Sequence, residues 1–98
     1  MKLALLQMEV LEKNKAGNVE KACHLLKQAA PQADIAVLPE IWTTGYSLGH
    51  LSKEAEYLNG PVIEEIRNIA AANCCAVVAG SIPLRKGDGN VYLSLIHI

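Results

Sequence analysis

Short unbroken apolar runs alternate along this chain with stretches in which apolar residues recur every three or four positions. The first run, Leu3-Ala4-Leu5-Leu6, closes at Gln7. Having no polar alternation, it predicts a strand buried on both faces. From Ala16 the apolar positions Val19, Cys23, Leu26 and Ala30 follow helical spacing, while Lys15, Glu20, Lys21, His24, Lys27 and Gln28 fall mostly elsewhere, as in an amphipathic helix. Asn14 is placed to cap it, because its side-chain oxygen can accept an amide of the first turn, and Pro31 stops it. Ile35-Ala36-Val37-Leu38 is a second apolar strand, ended by Pro39, which has no amide hydrogen for a central ladder.

Residues 41 to 58 are mixed, with Gly45 and Gly49 flanking Tyr46, and read as a loop running into a short helix between Leu51 and Leu58. Gly60-Pro61 starts a second helix where proline is tolerated, with Val62, Ile66, Ile69, Ala70 and Asn73 along one face. Glu64 and Glu65 suit its positive N-terminal end. Ala76 to Gly80 is the third apolar strand, and Asp88-Gly89, within Lys86 to Asn90, is a hairpin signal before Val91 and Tyr92. Strands alternating with amphipathic helices predict an α/β fold with right-handed crossovers and a mostly parallel sheet. Ligands of such sheets bind at the carboxyl ends of the strands. Three strands and two helices leave one sheet face poorly covered, so the expectation is an incomplete unit, the first part of something larger.

Composition narrows the class. With 98 residues, 51% hydrophobic and 19% charged, the chain has the make-up of a single small globular domain. Nine basic against ten acidic residues, a net charge of -1, argue against nucleic acid as a partner. The longest uncharged stretch, Asn68 to Leu84, contains Asn73, Ser81 and Pro83 and is no membrane span, so no membrane partner is expected. Lys2 and a strand-like run follow Met1 with no small-residue cleavage site, which reads as cytoplasmic. Cys23, Cys74 and Cys75 are odd in number and include a vicinal pair, as expected of reduced thiols, not a disulfide framework.

One segment puts a proton-transfer group at a strand's carboxyl end: Leu38-Pro39-Glu40-Ile41-Trp42-Thr43-Thr44-Gly45-Tyr46. Pro39 fixes its own torsion and holds Leu38 extended, so the direction in which Glu40 leaves the strand is constrained locally. Apolar neighbours predict partial burial, which would raise the carboxyl pKa toward that of a general base or acid. A bare Pro-Glu pair reads more simply as a solvated loop glutamate. The wider pattern changes that weighting. Leu38-Pro39-Glu40 followed by Tyr46 resembles the first motif of the carbon-nitrogen hydrolase (nitrilase) superfamily. Gln7, Asn18, Gly60-Pro61, Gly80-Ser81 and Asn90-Val91-Tyr92 fall in that family's order, so the resemblance covers residues 3 to 92.

The resemblance implies the N-terminal part of an α-β-β-α sandwich hydrolase, residues 1–92 here, with a glutamate, lysine and cysteine as its catalytic set. Glu40 matches the glutamate, the general base; the lysine and cysteine belong to later strands and are absent, so the chain alone is expected to be inactive. Tyr46 matches a pocket-walling tyrosine, and Trp42 and Thr43 are weaker substrate-binding candidates. The loop looks most like the omega-amidase branch, which includes 2-oxoglutaramate amidases. This implies a small carboxamide substrate, no metal or organic cofactor, and a homo-oligomeric intact protein. Alternatives are a nitrilase or N-carbamoyl amidohydrolase of the same superfamily, or a non-catalytic binding or assembly subunit with this fold. An unrelated nucleotide-binding domain is disfavoured, because no Gly-rich turn follows the first strand.

Other features read as ordinary. Cys74 and Cys75, placed at the start of the third strand, would point to opposite faces as buried structural thiols without metal-ligand spacing, and Cys23 lies on a helix stripe. His24 can pair weakly with Glu20, His50 has no partner, and Gly87-Asp88-Gly89 is turn chemistry. Residues 93–98, Leu-Ser-Leu-Ile-His-Ile, depart from the family pattern and coincide with the translation of a transposon-end sequencing adapter. They are expected to be a non-native tail.

Overall fold

The computed structural model describes residues 1–46 and 51–98. Gly49 and His50 therefore lie outside the described residues. The elements run β1 (Leu3–Leu5), α1 (Lys15–Ala29), β2 (Ile35–Val37), α2 (Leu51–Glu54), α3 (Pro61–Asn73), β3 (Ala76–Arg85) and β4 (Val91–His97). They form a four-stranded sheet in the order β1-β2-β3-β4, parallel between β1, β2 and β3 and antiparallel between β3 and β4.

Helix α1 begins where Asn14 accepts the Gly17 N–H at 3.2 Å, and Pro31 sits in a single 3-10 turn, Ala30–Gln32, that ends it. Its buried stripe is Asn18, Ala22, Cys23 and Leu26. Helix α3 has Pro61 in its first turn and buries Val62, Ile63, Ile66, Ile69 and Ala70. Asn73 is only half-buried and donates to the Ile69 carbonyl at 2.9 Å. The two helices pack on the face of the sheet that carries Ala36, Val77 and Ala79, all buried in one core with Leu26, Ile63, Ile66, Ile82 and Trp42. Lys15 forms an ion pair with the buried Glu56, which ties the start of α1 to the segment entering α3. Glu56 also bonds to β3, donating its N–H to Pro83 O at 2.9 Å and accepting from Arg85 N–H at 2.7 Å.

Two readings of the sequence are corrected. The first strand is not buried on both faces: Ala4 turns toward the core, whereas Leu3 and Leu5 are 58% and 72% exposed. In register they share their face with Ile35 and Val37 of β2 and with Ala76 and Val78 of β3. Among the described residues no helix packs on that face, so Leu3 and Leu5 meet solvent. The vicinal cysteines precede β3 instead of opening it. Helix α3 runs on to Asn73 and leaves through Cys74 in the left-handed region, φ 49°. This turns Cys74 outward and exposed while Cys75 is buried.

Strand β3 is longer than its apolar run because it continues through a bulge between Val78 and Ser81 and pairs with β4 on both sides of it, Val78 with His97 and Ser81 to Arg85 with Leu95 to Val91. The turn at Lys86 to Asn90 is the expected hairpin, closed by Lys86 N–H donating to Asn90 O at 3.0 Å. Residues 93–97 fall within β4, and Ile98 exchanges two backbone hydrogen bonds with Val77.

Candidate active site

Glu40 leaves the sheet just past the carboxyl end of β2, where the topology of a parallel sheet concentrates chemistry. Leu38 is still in the ladder, donating its N–H to Val78 O at 2.9 Å. Glu40 then makes an isolated parallel bridge to Ser81. Two backbones approach here more closely than side chains allow. A Cβ on Gly80 would lie 1.9 Å from Pro39 O, and Gly80 itself has φ +64°, so both the space and the torsion require glycine.

The next residues form a sealed turn. Ile41 has φ 47°, a genuine outlier for a β-branched residue. Its N–H donates to Ser81 Oγ at 3.1 Å, and its carbonyl accepts from Gly45 N–H at 2.8 Å. Trp42 is fully buried and donates its indole N–H to Ala79 O at 2.6 Å. Asn18 of α1 reaches the same turn from below. Its amide nitrogen donates to Thr43 O at 3.0 Å and to Leu11 O at 2.7 Å, while its oxygen accepts from Leu11 N–H at 2.9 Å. A buried amide with its hydrogen bonds filled in this way fixes the three segments it joins.

The sequence-derived site residues therefore separate into two groups. Glu40 and Tyr46 meet: the phenol donates a short hydrogen bond to Glu40 Oε1. That bond first, then desolvation and the nearby carboxylate charge, push the Tyr46 phenol above its ordinary value. Trp42 and Thr43 do not join them. Both are sealed in the core with no exposed surface, so they support the turn from behind and are not placed to line a pocket. The expectation of partial burial for Glu40 is also corrected. Its apolar neighbours Leu38, Ile41 and Trp42 turn inward, and Glu40 itself is exposed. A cleft of about 260 Å³ runs past Pro39, lined by Leu5, Leu6, Gln7, Met8, Val37 and Leu38. A larger hollow of about 670 Å³, between Tyr57 and the β3–β4 hairpin, contains no part of the Glu40 turn.

Among the described residues no group of three or more His, Cys, Asp or Glu is arranged to hold a metal, and no helix is long and apolar enough to cross a membrane. The supporting roles of Asn18, Ser81 and Ala79 were not assigned from sequence. In the sequence Asn18 and Ser81 are landmarks of a resemblance and nothing more. A glycine inside an apolar strand was the available signal for the bulge and close approach at Gly80.

The four-stranded α/β sheet carries a glutamate on a clamped turn beyond its second strand, and residues 2–98 match the carbon-nitrogen hydrolase family. The chain belongs to that family. Among its relatives, it is 31% identical over 90 residues to 2-oxoglutaramate amidase of Bacillus subtilis, covering 92% of this chain and 34% of that one. To omega-amidase NIT2 of Danio rerio it is 36% identical over 92 residues, covering 93% of this chain and 32% of that one. Its fold superposes on the crystal structure of XC1258 from Xanthomonas campestris, a CN-hydrolase superfamily protein, with a TM-score of 0.86 and 33% identity. That match covers 99% of this chain and 36% of the other. It superposes on Saccharomyces cerevisiae Nit3, a nitrilase-superfamily member, with a TM-score of 0.84 at 25% identity over 99% of this chain and 39% of that one. The chain thus spans about a third of the length of the relatives it matches.

Proposed function

We propose that the intact protein is an amidase that hydrolyses the C–N bond of small carboxamides bearing a distal carboxylate, the omega-amide class, and releases ammonia. The observation that carries this reading is the fixed Glu40. It stands at the carboxyl end of a parallel strand, on a turn held by Trp42, Ser81 and Asn18, with a hydroxyl group beside its carboxylate. The names of the amidase relatives support the substrate class.

In this reading Glu40 takes the proton of a cysteine thiol, and the thiolate attacks the carboxamide carbon. The tetrahedral oxyanion is stabilised by a lysine, and its collapse expels ammonia as Glu40 returns the proton to the leaving nitrogen. Glu40 then removes a proton from water, which attacks the thioester and frees the carboxylic acid and the thiol. The cysteine and lysine are assigned to the two thirds of the relatives' length that this chain does not span. The 98-residue chain by itself therefore lacks the nucleophile and is inactive. Tyr46 holds one carboxylate oxygen of Glu40 and leaves the other for the proton transfers.

Glu40→Gln in the intact protein tests the reading. It keeps the shape and removes the base, so ammonia release from an omega-amide should fall by at least about 10²-fold, the lower range for general base catalysis. The melting temperature should stay near that of the wild type. Retention of more than about a tenth of wild-type turnover would make Glu40 an ordinary loop carboxylate.

A further inference from the structure

The turn after Glu40 is held against its own preference. Ile41 at φ 47° crowds its Cβ against the following carbonyl, and a β-branched residue enters this region only when its surroundings over-determine it. Among the backbone contacts of this turn, the one that bears on Glu40 is that of the Ile41 N–H to Ser81. The Ile41 N–H belongs to the rigid peptide plane joining Glu40 to Ile41. That plane can swing only by changing ψ of Glu40 and φ of Ile41 together. Ser81 Oγ, 3.1 Å from the N–H, opposes this swing. The hydroxyl is itself held in place, because the Gly80 bulge seats β3 against the carbonyls of Pro39 and Leu38.

We propose that Ser81 is a positioning residue for Glu40: its hydroxyl oxygen locks the Glu40–Ile41 peptide plane and thereby aims the carboxylate. The inference rests on the reading of Glu40 as the general base, and it deepens that reading by naming the group that orients the base. Ser81 meets this turn through the Ile41 N–H and a backbone bridge to Glu40, so it acts on the direction of the base. A one-ångström error in the position of a reacting group is costly to turnover.

The test uses the intact protein as wild type, Ser81→Ala, Ser81→Thr and Glu40→Gln. Alanine removes the acceptor without adding volume; threonine restores the hydroxyl and suits a strand. Two readouts are taken: kcat and KM for ammonia release from an omega-amide, and the ionisation of the Tyr46 phenol by NMR, assigned by its loss in Tyr46→Phe. Ser81→Ala should lower kcat by about 10- to 100-fold with KM little changed, and Ser81→Thr should recover most of it. In Ser81→Ala the released Glu40 no longer holds the Tyr46 proton, so the phenol should titrate closer to its free value; in Ser81→Thr it should titrate as in the wild type.

The proposal is overturned if Ser81→Ala leaves both turnover and the Tyr46 titration in place. It is equally overturned if Ser81→Thr is as impaired as Ser81→Ala, which would make Ser81 a packing residue. Should wild type and Glu40→Gln release ammonia equally, the general-base reading falls. The Tyr46 titration then decides alone whether Ser81 aims the carboxylate.

Discussion

Replacing Gly80 by alanine probes the frame of the site most directly, because the cost can be worked from distances. The new Cβ would lie 1.9 Å from Pro39 O and 2.8 Å from Leu38 O, the first of them more than about 1 Å inside ordinary contact. Both obstacles are backbone, so no side chain can swing away, and β3 must retreat from the Leu38–Glu40 segment. Among the bonds that cross that seam are Leu38 N–H to Val78 O at 2.9 Å, Ile41 N–H to Ser81 Oγ at 3.1 Å and the Trp42 indole to Ala79 O at 2.6 Å. A retreat of about 1 Å carries each beyond useful range. At about 1 kcal/mol net per bond, together with about 1–2 kcal/mol for a non-glycine residue at φ +64°, the loss is about 4–5 kcal/mol. That is a large part of a typical domain's 5–15 kcal/mol. Thermal melting of the intact protein, run beside ammonia release, measures it. Gly87→Ala is the control, since nothing lies within 4 Å of its added Cβ, and its effect should stay within about 0.5 kcal/mol. If Gly80→Ala melted with Gly87→Ala and kept its turnover, β3 would not press on Pro39 and the clamped turn would be wrong.

Asn18→Leu keeps volume but strands Leu11 N–H, Leu11 O and the buried Thr43 O; urea unfolding should show a loss of about 2–4 kcal/mol, and an unchanged midpoint would refute the tie. Thiol labelling at pH 8, mapped by peptide, should modify Cys74 quickly, with the label at that peptide lost in Cys74→Ser, and leave Cys23 untouched. Burial first, and then Glu65, push the Cys23 thiol up to about 11 from 9.0. Its contribution to stability is therefore complete below pH 9 and fades between 9 and about 11; fast labelling of Cys23 in the folded protein at pH 8 would contradict its burial. We also propose that residues 93–98 are non-native, and long reads across the genomic locus should replace Leu93 to Ile98 with a longer coding stretch; a genomic stop codon directly after Ile98 would refute it.

The periodic elements were legible because each is driven by local burial. The stripe of α1 through Cys23 and Leu26, the proline-led start of α3 and the Asp88-Gly89 turn all express short-range rules. Misreadings arose where long-range geometry decided. An apolar run at Leu3 to Leu5 cannot announce that one of its faces is left uncovered. Nor could the Cys74-Cys75 pair announce that α3 would exit through a left-handed cysteine. At the site, Glu40 and Tyr46 were found together by motif and did meet, whereas Trp42 faced inward. Its ring is larger than its indole nitrogen is polar, and one carbonyl, Ala79 O, satisfies that nitrogen inside the core.

The bond between Ile41 and Ser81 spans 40 positions of sequence, and this separation orders events in time. At a synthesis rate of about 5–20 residues per second, Glu40 is made some 2–8 s before the oxygen that steadies it. Until β3 docks beside β2, Ile41 has no reason to enter the left-handed region, and the nascent turn samples the ordinary conformations of its residues. A peptide covering only residues 35–46 would hold the whole motif and still leave its carboxylate unaimed. Competence at Glu40 is thus a late product of strand assembly, acquired when β3 pairs in parallel with β2, and not a property that the motif carries by itself.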